Sequence, residues 1–125
     1  MKVLILGSNG LVGTSVKNVL ERNPNIRELI CATRNDADLF NFGETKELIE
    51  NSKPDIMINA AAKVGGIYAN NSKRTEFLIE NLKINLNILE SCIEHKETLI
   101  INLGSSCIYP LNAPNPIKES SIMTG

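Results

Sequence analysis

Three glycines at GxxGxxG spacing, Gly7, Gly10 and Gly13, follow directly on the apolar run Val3-Leu4-Ile5-Leu6. Few folds accommodate that pairing. An uninterrupted apolar run of this length reads as a strand covered on both faces, as in a parallel sheet. Val12, Val16, Val19 and Leu20 then recur at helical spacing until Asn23-Pro24-Asn25 closes the segment. Strand, glycine turn and helix in that order bring backbone N–H groups to a helix amino terminus, where anions bind well. The early glycines permit the tight turn and the close approach of a pyrophosphate, and the last lets the helix pack on the strand. A glycine triplet alone is a weak signal, with a plain structural turn as the competing reading. The strand–loop–helix context favours a dinucleotide site over Gly7, Ser8, Asn9, Gly10, Leu11, Val12 and Gly13.

The alternation continues along the chain. Glu28 to Ala32 reads as a second strand, Asp38 to Phe42 as a very short third, and Glu44 to Asn51 as a brief helix ended by Ser52-Lys53-Pro54. A fourth strand is expected over Asp55 to Asn59, then a loop through Gly66 and a long helix from about Lys73 to Glu94. On that helix Leu78, Leu82, Leu86, Leu89 and Ile93 mark one face, widened by Phe77, Ile84, Ile88 and Cys92, which predicts substantial burial. Leu99 to Leu103 reads as a fifth, buried parallel strand, and no regular structure is expected after Pro110. This order predicts an α/β fold, a Rossmann-like doubly wound parallel sheet with right-handed crossovers. Residues 1–125 are expected to form one partial nucleotide-binding domain, truncated before the second half of the sheet and any substrate lobe.

The end of the second strand bears on which nucleotide is bound. NAD-selective sites usually carry an acidic residue there, bonded to the ribose diol. This chain has Ala32-Thr33-Arg34. A guanidinium suits a 2′-phosphate, which favours NADPH over NADH; a solvated loop cation is the plain alternative. Asp38 and Leu39 lie where an adenine ring would be contacted. Ala60, Ala61 and Ala62 end their strand with small side chains, leaving room for a cofactor across the sheet.

Leu103-Gly104-Ser105-Ser106-Cys107-Ile108-Tyr109-Pro110 places two hydroxyls and a thiol at the carboxyl end of a strand, where open α/β sheets process ligands. Ser105 is placed to hydrogen-bond a substrate oxygen, or else only to cap a turn. Cys107 is placed to move a proton, or else to act as an apolar-like thiol, the role read for Cys31 and Cys92. Lys63 reads equally as a cleft residue or a solvated lysine. His95 reads as a favourable cation near a helix end rather than a catalytic group.

Thirteen basic residues against fourteen acidic give a net charge of −1 with no basic block, so nucleic acid is not an expected partner. Three widely spaced cysteines form neither a zinc pattern nor a disulfide framework. No metal site is expected, and the reduced thiols suit the cytoplasm. No apolar run is long enough to span a bilayer.

Taken together, these residues resemble the extended short-chain dehydrogenase/reductase superfamily. Two stretches narrow the likeness: Asn59-Ala60-Ala61-Ala62-Lys63-Val64-Gly65-Gly66-Ile67-Tyr68-Ala69-Asn70-Asn71, and Leu103 through Pro110, closely resemble the GDP-L-fucose synthase family. Glu76-Phe77, Asn81, Asn85, Pro116-Ile117-Lys118-Glu119 and Thr124-Gly125 continue it. The resemblance implies NADPH-dependent conversion of GDP-4-keto-6-deoxy-D-mannose to GDP-L-fucose by 3,5-epimerisation and 4-keto reduction. It implies that Cys107 belongs to the acid/base pair and that Ser105 bonds the C4 oxygen. Leu103, Gly104, Ser105 and Ser106 match cofactor-contacting residues, and family members pair as homodimers through helices flanking the sheet.

The family's Tyr-xxx-Lys pair is missing from these residues. The chain has only Tyr68 and Tyr109, with Ser72 and Ala113 at the fourth position after them. The partner histidine is not found either, so these residues alone are not expected to turn over substrate. Two other readings stand beside this one: another NAD(P)-dependent sugar-nucleotide epimerase or dehydratase, and a non-catalytic nucleotide-binding or interaction module.

Overall fold

The computed structural model describes residues 1–124; Gly125 lies outside the described residues. Four strands, β1 (Lys2–Leu6), β2 (Glu28–Ala32), β3 (Ile56–Asn59) and β4 (Leu99–Asn102), alternate with helices α1 (Leu11–Leu20), α2 (Phe42–Ser52), α3 (Ile67–Ser72) and α4 (Arg74–Ser91). The sheet is parallel throughout, in the order β2-β1-β3-β4. Leu6 is level with Ala32 on one side and Asn59 on the other, and Asn59 with Asn102. The carboxyl ends of all four strands therefore form one row. The chain moves outward from β1 to β2, then crosses back to β3 on the opposite side of β1. That reversal is the switch point at which such sheets open a ligand crevice.

The core lies on one face of the sheet. Leu4, Leu6, Ala32 and Met57 are buried beneath Ile49 of α2 and Ile84 and Ile88 of α4, with Cys92 just beyond. Right-handed crossovers put α1 on the other face, over the buried Val3 and Ile5. Helix α2 is locally well specified. The Asn41 side chain accepts the Gly43 and Glu44 N–H groups at 2.9 and 3.3 Å, and the helix ends where Lys53 turns left-handed (φ 42°) before Pro54.

Several expectations change. Asp38 to Phe42 forms a turn rather than a strand: Asp38 Oδ1 accepts the Phe40 N–H at 3.0 Å, and the Asn41 N–H bonds the Asp38 carbonyl at 2.9 Å. Those local bonds leave no backbone groups extended for pairing. The sheet accordingly has four strands. The predicted long helix begins at Arg74 and ends at Ser91, preceded by the short α3; His95 lies in the turn beyond it.

Burial on α4 is the reverse of the stronger sequence pattern. Ile84 and Ile88 face the core, whereas Leu78, Leu82, Leu86, Leu89 and Ile93 are exposed. Strand β4 is parallel but not buried: Leu99 is 58% exposed and Ile101 40%. They share a face with Ile56 and Ile58, and the ten-residue α1, joining β1 to β2, does not extend over them. Two short 3₁₀ turns, Ser106–Ile108 and Glu119–Ser121, interrupt the otherwise irregular tail. No helix among the described residues is long and apolar enough to cross a membrane.

Candidate functional site

A cleft of about 380 Å³ opens at the carboxyl ends of β1, β2 and β3. Gly7, Asn9 and Gly10 form one wall, Thr33 to Asn35 and Ala37 to Phe40 a second, and Ala60 to Ala62 a third, with Leu48 and Ile84 among the lining. Two glycines are required by contact. Gly7 has φ +74°, and a Cβ there would lie 2.8 Å from the Ala61 backbone. A Cβ on Gly13 would lie 2.2 Å from the Gly7 carbonyl oxygen, closer than any packing permits.

Helix α1 begins at the mouth of this cleft without a side-chain cap. Gly10 is its N-cap residue and no acidic group occupies the first turn. Its leading N–H groups are therefore not satisfied by a neighbouring side chain, and a helix start in that condition suits an anion. The glycine cradle and the uncapped helix start fit a nucleotide pyrophosphate.

The sequence-predicted residues take different places around the cleft. Ser8 is buried, and both its hydroxyl and its N–H donate to the Ala32 carbonyl at 3.0 and 3.1 Å. Its hydroxyl fastens the glycine loop to the end of β2. Leu11 and Val12 are exposed on the first turn of α1, outside the lining. Arg34 is exposed at the cleft and makes no ion pair among the described residues. The Asp38 carboxylate is turned onto the Phe40 N–H, and Leu39 packs against the core, its carbonyl accepting Asn87 Nδ2 at 2.9 Å.

Leu103, Gly104, Ser105 and Ser106 do not line this cleft. They continue from β4, one strand further along the row, where the Leu103 N–H reaches the Asn59 carbonyl at 3.2 Å. Ser105 and Cys107 are exposed there, and Ser105 Oγ accepts the Cys107 N–H at 3.2 Å, so Ser105 does cap a turn. Burial pushes the Cys31 and Cys92 thiols up from their ordinary value, with smaller opposed effects of Lys17 and Glu21 on Cys31. Cys92 is buried and Cys31 half-buried, a setting that suits apolar-like thiols. Among the described residues no group of His, Cys, Asp and Glu is arranged to hold a metal ion.

Sequence reasoning missed an asparagine network beneath the site. Asn59, buried at the end of β3, accepts the Ala61 N–H at 3.0 Å and donates to Asn102 and Asn85 at 2.7 and 3.3 Å. Asn81 holds the Lys63 backbone from both sides, accepting its N–H at 2.8 Å and donating to its carbonyl at 3.0 Å. The signal available was a strand-end asparagine with two more four residues apart on one helix. Lys63 itself neither lines the cleft nor is fully solvated. Its ammonium bonds Glu80 at 2.5 Å and sits 5.5 Å from the Phe77 ring centre.

A family model, the NAD dependent epimerase/dehydratase family, matches residues 3–125. GDP-L-fucose synthase 1 of Arabidopsis thaliana is 39% identical over 98% of this chain and 38% of its own length. The chain thus spans well under half the curated relatives it matches. A GDP-D-glycero-L-gluco-heptose synthase from Campylobacter jejuni, solved in the presence of NADPH, matches with TM-score 0.84 and 31% identity over 99% of this chain and 36% of that one. A GDP-L-fucose synthetase from Naegleria fowleri bound to NADP matches with TM-score 0.82 and 27% identity over 98% and 37% respectively.

Proposed function

Because the chain belongs to the NAD dependent epimerase/dehydratase family, we propose that it is the cofactor-binding part of an NADPH-dependent sugar-nucleotide epimerase/reductase of the GDP-L-fucose synthase kind. The observation that carries this reading is the uncapped start of α1 behind Gly7 and Gly10, opening on a cleft whose other wall bears Arg34. The α1 N–H groups would hold the pyrophosphate of NADPH, Arg34 would meet its 2′-phosphate, and Asp38 and Leu39 would contact its adenine. The small side chains of Ala60 to Ala62 would leave room for the cofactor across the strand ends. Relatives solved with NADPH or NADP support the cofactor.

The substrate is GDP-4-keto-6-deoxy-D-mannose. Its ketone acidifies the C–H bonds at C3 and C5, so a positioned acid/base pair removes and returns those protons. Cys107 is one member of that pair, and Ser105 donates a hydrogen bond to the C4 oxygen as negative charge develops there. NADPH supplies the hydride that, with one proton, reduces C4 to the alcohol. Ser105 and Cys107 stand exposed one strand from the cofactor cleft, a placement that suits both roles. The unpaired thiols fit a cytoplasmic setting, and the exposed leucines of α4 offer a homodimer contact.

The chain covers 38% of the length of the Arabidopsis relative. The test therefore joins the chain to the complementary part of the Arabidopsis relative. Incubation with the keto sugar in deuterated water should place deuterium at C3 and C5, and Cys107→Ser should lose that exchange while keeping NADPH binding. A folded, NADPH-binding chimera that exchanges neither position contradicts the assignment.

A further inference from the structure

Among the described residues Arg34 is the only basic one lining the cleft, so discrimination between NADPH and NADH depends on how one side chain is presented. It sits in the turn Thr33-Arg34-Asn35-Asp36, directly after β2. That turn is closed by an unusual concentration of bonds. The Thr33 N–H and the Thr33 hydroxyl both donate to a single Asp36 oxygen, Oδ2, at 2.7 Å each. The Asp36 and Ala37 N–H groups return to the Thr33 carbonyl at 3.1 and 3.3 Å, and the Asn35 N–H reaches Thr33 Oγ1 at 3.2 Å. Ala37, buried, anchors the far side.

The neighbouring acids are engaged in the same way. Asp38 faces the Phe40 N–H, while the Glu44 carboxylate accepts the Asp38 N–H at 2.9 Å and Asn41 Nδ2 at 3.0 Å. The carboxylates of Asp36, Asp38 and, on α2, Glu44 are thus occupied by backbone and side-chain donors, and among the described residues none forms an ion pair with Arg34.

We propose that Asp36, acting through Thr33, is a positioning residue that holds Arg34 at the cleft and so sets the preference for the phosphorylated cofactor. This rests on the NADPH reading given above. Asp36 touches no cofactor atom in this account; its part is to order the turn in the free protein, so that less freedom is lost when a 2′-phosphate is bound. A nearby negative charge would otherwise oppose that phosphate. Asp36→Ala therefore separates the two effects by sign: loss of positioning lowers the NADPH preference, and relief of repulsion raises it.

The test is titration of the 125-residue chain with NADPH and with NADH, followed by nicotinamide fluorescence, and the ratio of the two affinities is the readout. Asp36→Ala should lower that ratio by roughly fivefold, the scale of freeing one ordered backbone residue. Asp36→Asn keeps an oxygen able to accept both Thr33 donors and should stay within about twofold of the unmodified chain. Thr33→Val removes the hydroxyl and should lower the ratio in the same direction, which decides the matter if Asp36→Ala does not fold. An unchanged or raised ratio in Asp36→Ala overturns the proposal, as does an equal loss of both cofactors. No preference for NADPH in the unmodified chain instead overturns the cofactor reading, and this proposal with it.

Discussion

Gly13 carries more of this site than its lack of a side chain suggests. A Cβ there would meet the Gly7 carbonyl at 2.2 Å and Ser8 Cα at 2.8 Å, both backbone atoms that cannot swing aside. Gly13→Ala must therefore push α1 off the glycine loop, and a loss of roughly 1–3 kcal/mol in urea unfolding is expected, as for other overpacked positions. Gly104→Ala is the control, since nothing lies within 4 Å of its Cβ position. A Gly13 variant as stable as that control would contradict the packing described. Asp36 gives a second residue-level expectation. The Thr33 hydroxyl, then the Thr33 N–H, hold its carboxyl below the ordinary carboxylate range. A lowered folded value means stability that is present above the ordinary range and lost as pH falls through the lowered one. The difference in melting temperature between the unmodified chain and Asp36→Ala should therefore shrink on acidification. A difference that is constant down to strongly acidic pH contradicts the clamp.

At the scale of elements, α4 separates buried from exposed apolar residues cleanly. Ile88 is almost fully buried under the sheet, whereas Leu82 is about half exposed. Ile88→Ala should cost about 2–5 kcal/mol, while Leu82→Ala should cost well under half of that. Equal costs, measured by denaturant unfolding, would place the helix on the wrong face. This element also marks the limit of what the sequence discloses. Both rows recur at helical spacing, and periodicity does not say which of two apolar rows meets the sheet. The glycine loop was legible because its requirement is local: a positive φ at Gly7 and a missing Cβ at Gly13 are properties of a few adjacent residues. The turn at Asp38 was misread as a strand because a side chain accepting an N–H two residues on leaves no periodic trace. The asparagine network was missed for a related reason. Asn59, Asn85 and Asn102 meet only after β3, α4 and β4 are packed. The geometry of the glycine loop was thus readable from spacing, and the asparagine support beneath the site was not. The place of Ser105 and Cys107 lay between the two, since the strand end was foreseen and the exposure of β4 was not.

The whole molecule is covered unevenly. One sheet face is packed under α2 and α4; the other is covered by α1 and leaves Leu99 and Ile101 open. Outside the core, Leu78, Leu82, Leu86 and Leu89 run along the exposed side of α4, and the exposed Ile93 follows just past its end. If α4 is the homodimer contact, sedimentation should show concentration-dependent association that Leu82→Lys with Leu89→Lys abolishes. Association that is unchanged in that double variant would assign it to the open sheet face instead. Fluorescence titration with NADPH probes the cleft at the strand ends. Saturable binding by the 125-residue chain is expected, tighter for NADPH than for NADH and weakened in Arg34→Ala by about tenfold or more, the worth of a charge-assisted contact. Absence of saturable binding at millimolar NADPH, in a chain shown to be folded, would contradict the cofactor reading.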